Sequence, residues 1–209
     1  MLLARWGFLI DTIAMPERDE RIDLELRDGA YVSSRPLGPQ DREELARGYR
    51  LLSPEARYQR FWVRTGNVIS DSTLDRLLDP DRKNHAIWAV MDDTREYPGM
   101  GAASYWRSKE NPLEAEFSVT VLDRDQKRGI GTLLLALLWR DAYANGIEHF
   151  IGYAMPENRK AIDWMLDTGA EGHWDGYQAI FRWNLTDLEG VPSTPAAADL
   201  THWLARLPA

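Results

Sequence analysis

EFSVTVLDRDQKRGIG, residues 116–131, decides how this 209-residue chain is read. Phe117, Val119 and Val121 alternate with Glu116, Ser118 and Thr120, the period-two pattern of a strand with one buried face. The strand ends near Val121, and a polar turn over residues 123–128 leads to Gly129 and Gly131. Ile130, Leu133, Leu134, Leu137 and Leu138 then share one face at helical spacing, so a helix begins within the glycines. A strand, a glycine turn and a helix N-terminus together form an anion site, because the first helical N–H groups lack partners and point outward at the positive end of the dipole. The spacing Gln126-x-x-Gly129-x-Gly131 is neither a dinucleotide fingerprint nor a Walker loop. Alone it fits a plain tight turn as well as a phosphate loop, and the flanks must separate the two.

Upstream, residues 21–26 alternate, Asp28-Gly29 signals a hairpin, and residues 31–37 form its second strand. Pro39 opens a helix carrying Leu45, Tyr49 and Leu52; Ser53 caps a second with Tyr58, Phe61 and Trp62 on its apolar side; Ser70 caps a third with Leu74, Leu77 and Leu78. Tyr58, Phe61 and Trp62 read either as ordinary core or as a wall for a second substrate. Strands at 85–91 and 101–106 lead by short turns into the strand at Glu116, an antiparallel meander. The helix after the glycines stops at Asn145-Gly146, and a strand follows at 149–154, so this strand and the one from Glu116 should be parallel. A helix with Ala161, Ile162, Met165 and Leu166 inward stops at Gly169. Strands at 171–174 and 177–185 are joined through Asp175-Gly176, residues 192–198 look like a linker, and a short helix spans 200–207. The expected organisation is an N-terminal arm (1–20), one α/β domain with a mixed sheet (21–185), and a C-terminal linker and helix (186–209). The arm packs on the domain or a second subunit, or the chain naturally starts at Met15.

A net charge of −8 gives no support to wrapping nucleic acid or docking on an anionic membrane. The absence of cysteine excludes a thiol nucleophile, disulfides and thiolate metal sites. His85, His149, His173 and His202 lack metal-ligand spacing and read as surface or strand-end residues; no metal is expected. Nine tryptophans are many for this length; Trp6, Trp139 and Trp203 fall in the arm, off the apolar helix face and in the tail, where they can cover a homodimer contact.

Gln/Arg-x-x-Gly-x-Gly/Ala between a strand and a helix resembles the acyl-CoA pyrophosphate loop of the GNAT superfamily of N-acetyltransferases. The order of elements over residues 20–185 resembles the whole GNAT fold, a mostly antiparallel sheet with one parallel pair splayed around the coenzyme. LRDGAYVSSRPLGPQDREEL, LSPEARYQRFW, AEFSVTV and MPENRKAIDWMLDTGA are similar to the catalytic domain of the bacterial protein lysine acetyltransferases called Pat. No stretch resembles the nucleotide-binding or synthetase-like partner domain of many such proteins, so their control and substrates are not carried over.

The resemblance implies that acetyl-CoA is the co-substrate. Backbone groups of Val119 and Val121 would pair with its pantetheine arm. Amides of Arg128, Gly129, Ile130, Gly131 and Thr132 would hold the pyrophosphate beside Gln126 and Lys127, and Asn158 would contact the pantetheine. A basic pair at Lys127 and Arg128 otherwise reads as solvated turn charge. A lysine amine of pKa ~10.4 is protonated at neutral pH, so a base is required. Glu116 matches the Glu of the AEF block and is the implied base; its plain reading is a solvent-facing strand residue like Glu114. A backbone N–H near Val119 would steady the thioester oxygen. Met165 stands where many small-molecule GNAT enzymes carry a Tyr acid, and a thioether cannot donate a proton. The expectation is a cytoplasmic bacterial N-acetyltransferase acting on a protein lysine, against a small-amine acetyltransferase, a coenzyme-binding sensor without turnover, and a structural protein whose tryptophans make interfaces.

Overall fold

The computed structural model describes residues 21–64, 66–188 and 191–207; the N-terminal arm, with Trp6 and Met15, lies outside the described residues. Strands β1 (Ile22–Glu25) and β2 (Tyr31–Pro36) form the hairpin that Asp28-Gly29 signals, with Gly29 at φ 80°. Helices α1 (Arg42–Leu51), α2 (Pro54–Phe61) and α3 (Asp71–Leu77) follow, and the Ser53 and Ser70 side chains cap α2 and α3 by accepting from Ala56 and Thr73. Next come β3 (His85–Met91), β4 (Gly99–Arg107), β5 (Glu114–Val121), α4 (Ile130–Ala144), β6 (His149–Ala154), α5 (Arg159–Asp167), β7 (Glu171–Trp174), β8 (Ala179–Asn184) and α6 (Pro195–Arg206). The eight strands make one sheet in the order β1-β2-β3-β4-β5-β6-β8-β7. Among the described residues its single parallel pair is β5 with β6, as the strand-helix-strand crossover requires.

The two sheet faces are filled differently. On the α4 side, Trp88, Val90, Tyr105, Phe117 and Phe150 form the main core with the leucines of α4. On the other side α1, α2 and α3 cover Ile87, Ala89 and Ala102 in two smaller clusters. Among the described residues no helix is long and apolar enough to cross a membrane, and no group of three or more His, Asp or Glu is placed to hold a metal ion.

Four local expectations differ from the structure. The run 192–198 is not a linker throughout: Thr194 caps α6 by accepting from Ala197, and Pro195 sits in the first turn, where its missing N–H costs nothing. Leu200 and Trp203 of that helix are buried against α4, which is therefore covered on two sides. Trp139 is for that reason buried, its indole N–H donating to the Leu185 carbonyl (3.1 Å), so neither Trp139 nor Trp203 is free to cover a dimer contact. Trp62 is the left-handed cap after α2 (φ 62°) and is partly exposed, so it does not belong to that helix's apolar face. On α5 it is Trp164, not Leu166, that turns inward; Leu166 is exposed. His85 sits at a strand end as expected, buried and stacked on Trp106 with ring centroids 3.5 Å apart.

Candidate active site

β5 pairs with β4 along its whole length, from Arg107↔Ala115 to Gly101↔Val121, but with β6 over only three residues, ending at Glu116↔Ile151. β6 then continues to Ala154 bonded to β8. The two parallel strands thus part after Glu116, and among the described residues no strand neighbours that edge of the main chain at 117–121. An edge of unpaired N–H and C=O groups is a template for another extended chain. The parting opens a cleft of about 1350 Å³, bounded by α2, β5, the glycine loop and the starts of α5 and α6.

At the far end of that edge, Lys127 (φ 64°) and Gly129 (φ 82°) are both left-handed, which folds the loop into a concave turn of amides leading into α4. Among the described residues no side chain caps α4, and no described side chain occupies its first N–H groups. A Cβ on Gly131 would meet nothing nearer than the Trp164 ring at 3.7 Å, so the loop surface is open to a ligand rather than packed against protein. Ile130 and Thr132 are buried, and Thr132 accepts from the Trp164 indole (3.1 Å), which ties α4 to α5.

The charges around the loop divide into two sets. Arg128 turns away from the cleft, bonded to Asp28 at 2.6 Å and Asp125 at 3.3 Å. Asp125 is buried beneath the loop and also holds Arg95 (2.7 Å) and Arg124 (3.2 Å). Lys127 is exposed, lines the cleft and has no ion pair among the described residues. Gln126 also lines it, its amide reaching the Val121 carbonyl at 3.4 Å. Asp199 of α6, paired with Arg27, closes this end of the cleft. Across the cleft, Asn158 caps α5 by accepting from Ala161 (3.2 Å), and its amide nitrogen has no partner among the described residues.

Glu116 stands where the strands part, exposed to the cleft on the same strand face as Ser118 and Thr120. Val119 and Val121 point to the opposite face and pack on the α4 core. Arg60 of α2 and Tyr153 of β6 line the cleft with Glu116 and share its electrostatic field. Burial pushes the Tyr153 phenol up, and the Glu116 and Glu114 carboxylates add to that; burial draws the Arg60 guanidinium down. Met165 is buried in the core. The sequence reading did not single out Arg60, Tyr153, Asp125, Arg27 or Asp199. Tyr153 could have been found by alternation, since it lies two residues beyond Ile151, the partner of Glu116; the others come from distant segments and carry no local signal.

No protein-family model matches the chain. Among curated proteins it is 30% identical over 151 residues to Acetyltransferase PA5475 of Pseudomonas aeruginosa, covering 72% of this chain and 80% of that protein. This chain belongs to the GNAT acetyltransferases. It is also 30% identical over 145 residues to Acetyltransferase Pat of Mycolicibacterium smegmatis, and there the match spans 68% of this chain but only 43% of the relative. The GNAT domain of S. lividans Pat superposes with a TM-score of 0.72 at 25% identity, covering 78% of this chain and 96% of that domain. The mixed sheet with its single parallel pair is thus the GNAT fold.

Proposed function

We propose that this GNAT chain moves an acetyl group from acetyl-CoA to a primary amine by direct attack, with a protein lysine as the preferred acceptor, in the cytoplasm. One observation carries the reading: the unpaired edge of β5 runs from a carboxylate at Glu116 to a concave turn of amides at the start of α4. That geometry suits a long ligand with an amide-bearing arm and a pyrophosphate. Residues 119 and 121 offer main-chain groups to the arm, the loop amides from 128 to 132 receive the pyrophosphate, and Lys127 and Gln126 flank it. Arg128 acts through its backbone and by holding the loop to Asp28 and Asp125. Asn158 directs its spare amide nitrogen at the arm.

Glu116 takes the proton from the acceptor ammonium, directly or through a water. Arg60 beside it disfavours a second cation and so lowers the pKa of that ammonium, which helps the amine reach its neutral, attacking form. A main-chain N–H near Val119 steadies the charge that builds on the thioester oxygen. Tyr153, held protonated at neutral pH, and solvent are the proton donors for the leaving thiolate, a role closed to Met165.

The test is labelled acetyl transfer in a lysate, with protein and small molecules separated. Glu116→Gln should lower turnover by about 10²- to 10⁴-fold while acetyl-CoA affinity stays within about twofold. Equal loss of both would defeat the base assignment, and label in the small-molecule fraction would move the acceptor to a metabolite. The buried thioether at Met165 favours one other reading, a coenzyme-binding module without turnover. Acetyl-CoA raising the melting temperature with no label in either fraction would establish it.

A further inference from the structure

A second cavity, of about 290 Å³, lies on the sheet face opposite α4, between the strands and helices α1 and α3. It is partly open to solvent, with the exposed Glu44 in its lining. Side-chain size explains the space. On the α4 face these strands present Trp88, Val90, Tyr105 and Phe117, whereas on this face they present Ala89, Ala102, Ser104 and Ser118. Leu45, Tyr49, Ile69 and Leu77 form the opposite wall, so the lining is mainly apolar.

The cavity adjoins the coenzyme cleft. Arg60, Phe61, Ser118 and Thr120 line both. Ser118 and Thr120 follow Glu116 on one face of β5, so the residues common to both cavities lie beside the base and beside the Val119 main chain, where the thioester carbonyl is placed in the reading above. Several of the polar groups inside already have partners. Ser104 and Ser118 hydroxyls bond to each other at 3.2 Å, Asp41 is held by Arg35 at 2.6 Å, and Asp93 by Arg21 at 2.7 Å. Arg60 stacks over Phe61, 5.0 Å from the ring centre, at the junction.

We propose that this cavity is an acyl-chain chamber, and that the protein takes coenzyme A thioesters of straight aliphatic acids longer than acetyl, up to about six carbons. The inference rests on the acyl-CoA reading and adds to it the class of acyl group. A chain extending from the carbonyl passes between Phe61 and Ser118 and lies on Ala102. Each buried methylene contributes ~0.8 kcal/mol, which is about fourfold in affinity.

The experiment is calorimetric titration of the full chain with acetyl-, propionyl-, butyryl- and hexanoyl-CoA, for the native sequence and for Ala102→Val and Ala102→Leu. The native protein should gain about two- to fourfold in affinity per added methylene. Ala102→Leu should keep acetyl-CoA affinity within about twofold and lose the gain for the longer chains, and Ala102→Val, which suits a strand, should lose part of it. Melting curves of both variants confirm that they fold. Flat or falling affinity beyond acetyl in the native protein, or a chain-length gain that survives both substitutions, overturns the chamber alone. Failure of every thioester to bind, acetyl-CoA included, brings down the acyl-CoA reading and the chamber with it.

Discussion

Asp141 sits in the last turns of α4, buried, with one carboxylate oxygen accepting from the Trp88 indole at 3.1 Å. Burial raises its pKa from 3.8 to about 6, against the opposing pull of the Trp88 hydrogen bond and the Arg82 charge. Below pH 3.8 the carboxyl is protonated in both the folded and unfolded chains and does not affect stability. Between pH 3.8 and 6 the unfolded chain has released the proton while the folded chain still holds it, so stability falls as pH rises. Above pH 6 the full cost remains, about 3 kcal/mol for a shift of this size. Asn in its place keeps an oxygen for the indole and carries no charge to desolvate.

Asp141→Asn should therefore stabilise the protein by about 1–3 kcal/mol at pH 7.5 and by under about 0.6 kcal/mol at pH 4. Urea unfolding of both proteins at the two pH values measures the difference directly, and comparing variants cancels the other carboxylates that titrate in this range. A gap of equal size at both pH values would refute the argument, as would a variant that is weaker at both, which would mean that the second oxygen's contacts with Asn145 outweigh the desolvation.

Asp125→Ala removes the shared partner of Arg95, Arg124 and Arg128 and should cost about 2–3 kcal/mol, below the range for fully buried pairs because the three guanidiniums are partly solvated; chemical denaturation reads it, and a loss under about 0.5 kcal/mol would show the network to be idle. Gly129→Ala forces an L side chain to φ 82° and should cost about 1–2 kcal/mol together with weaker acetyl-CoA binding, whereas Gly131→Ala, whose Cβ has room, should leave stability within about 0.5 kcal/mol; equal effects in thermal melts would remove the backbone argument. Lys127→Ala should weaken acetyl-CoA about two- to fivefold at low ionic strength and less at high salt, and a salt-independent loss in titration would show that its charge is not what matters.

How much of this was legible in the sequence follows from how local each cause is. The alternation of β5, the Asp28-Gly29 turn, the Ser53 and Ser70 caps and the parallel crossover depend on neighbours within a few residues, and each is found where the pattern places it. α6 was half-missed because Thr194-Pro195 was read as linker composition, although a capping hydroxyl followed by proline is also a helix start. Trp139 was misplaced for a tertiary reason: the face of α4 turned from the sheet is buried only because α6, some sixty residues later, lies on it. Arg60, Asp125 and Asp199 gain their significance from partners 30 to 172 residues away, Glu116, Arg95 and Arg27, and single-chain patterning has no access to that.

One strand carries most of the proposed site, and the pleat apportions its parts. Odd-numbered Phe117, Val119 and Val121 fix β5 to the α4 core, even-numbered Glu116, Ser118 and Thr120 face the base position and the second cavity, and the free main-chain edge faces the cleft. A one-residue slip of register would exchange the two faces, burying a carboxylate in the core and exposing Phe117. Seven paired residues with β4, set by the bulk of Tyr105 and Phe117 on one side and by Ser104 and Ser118 on the other, hold that register without help from β6. The pairing with β6 can therefore stop after three residues, and it is this early end that leaves open the strand edge to which the proposed function assigns the coenzyme arm.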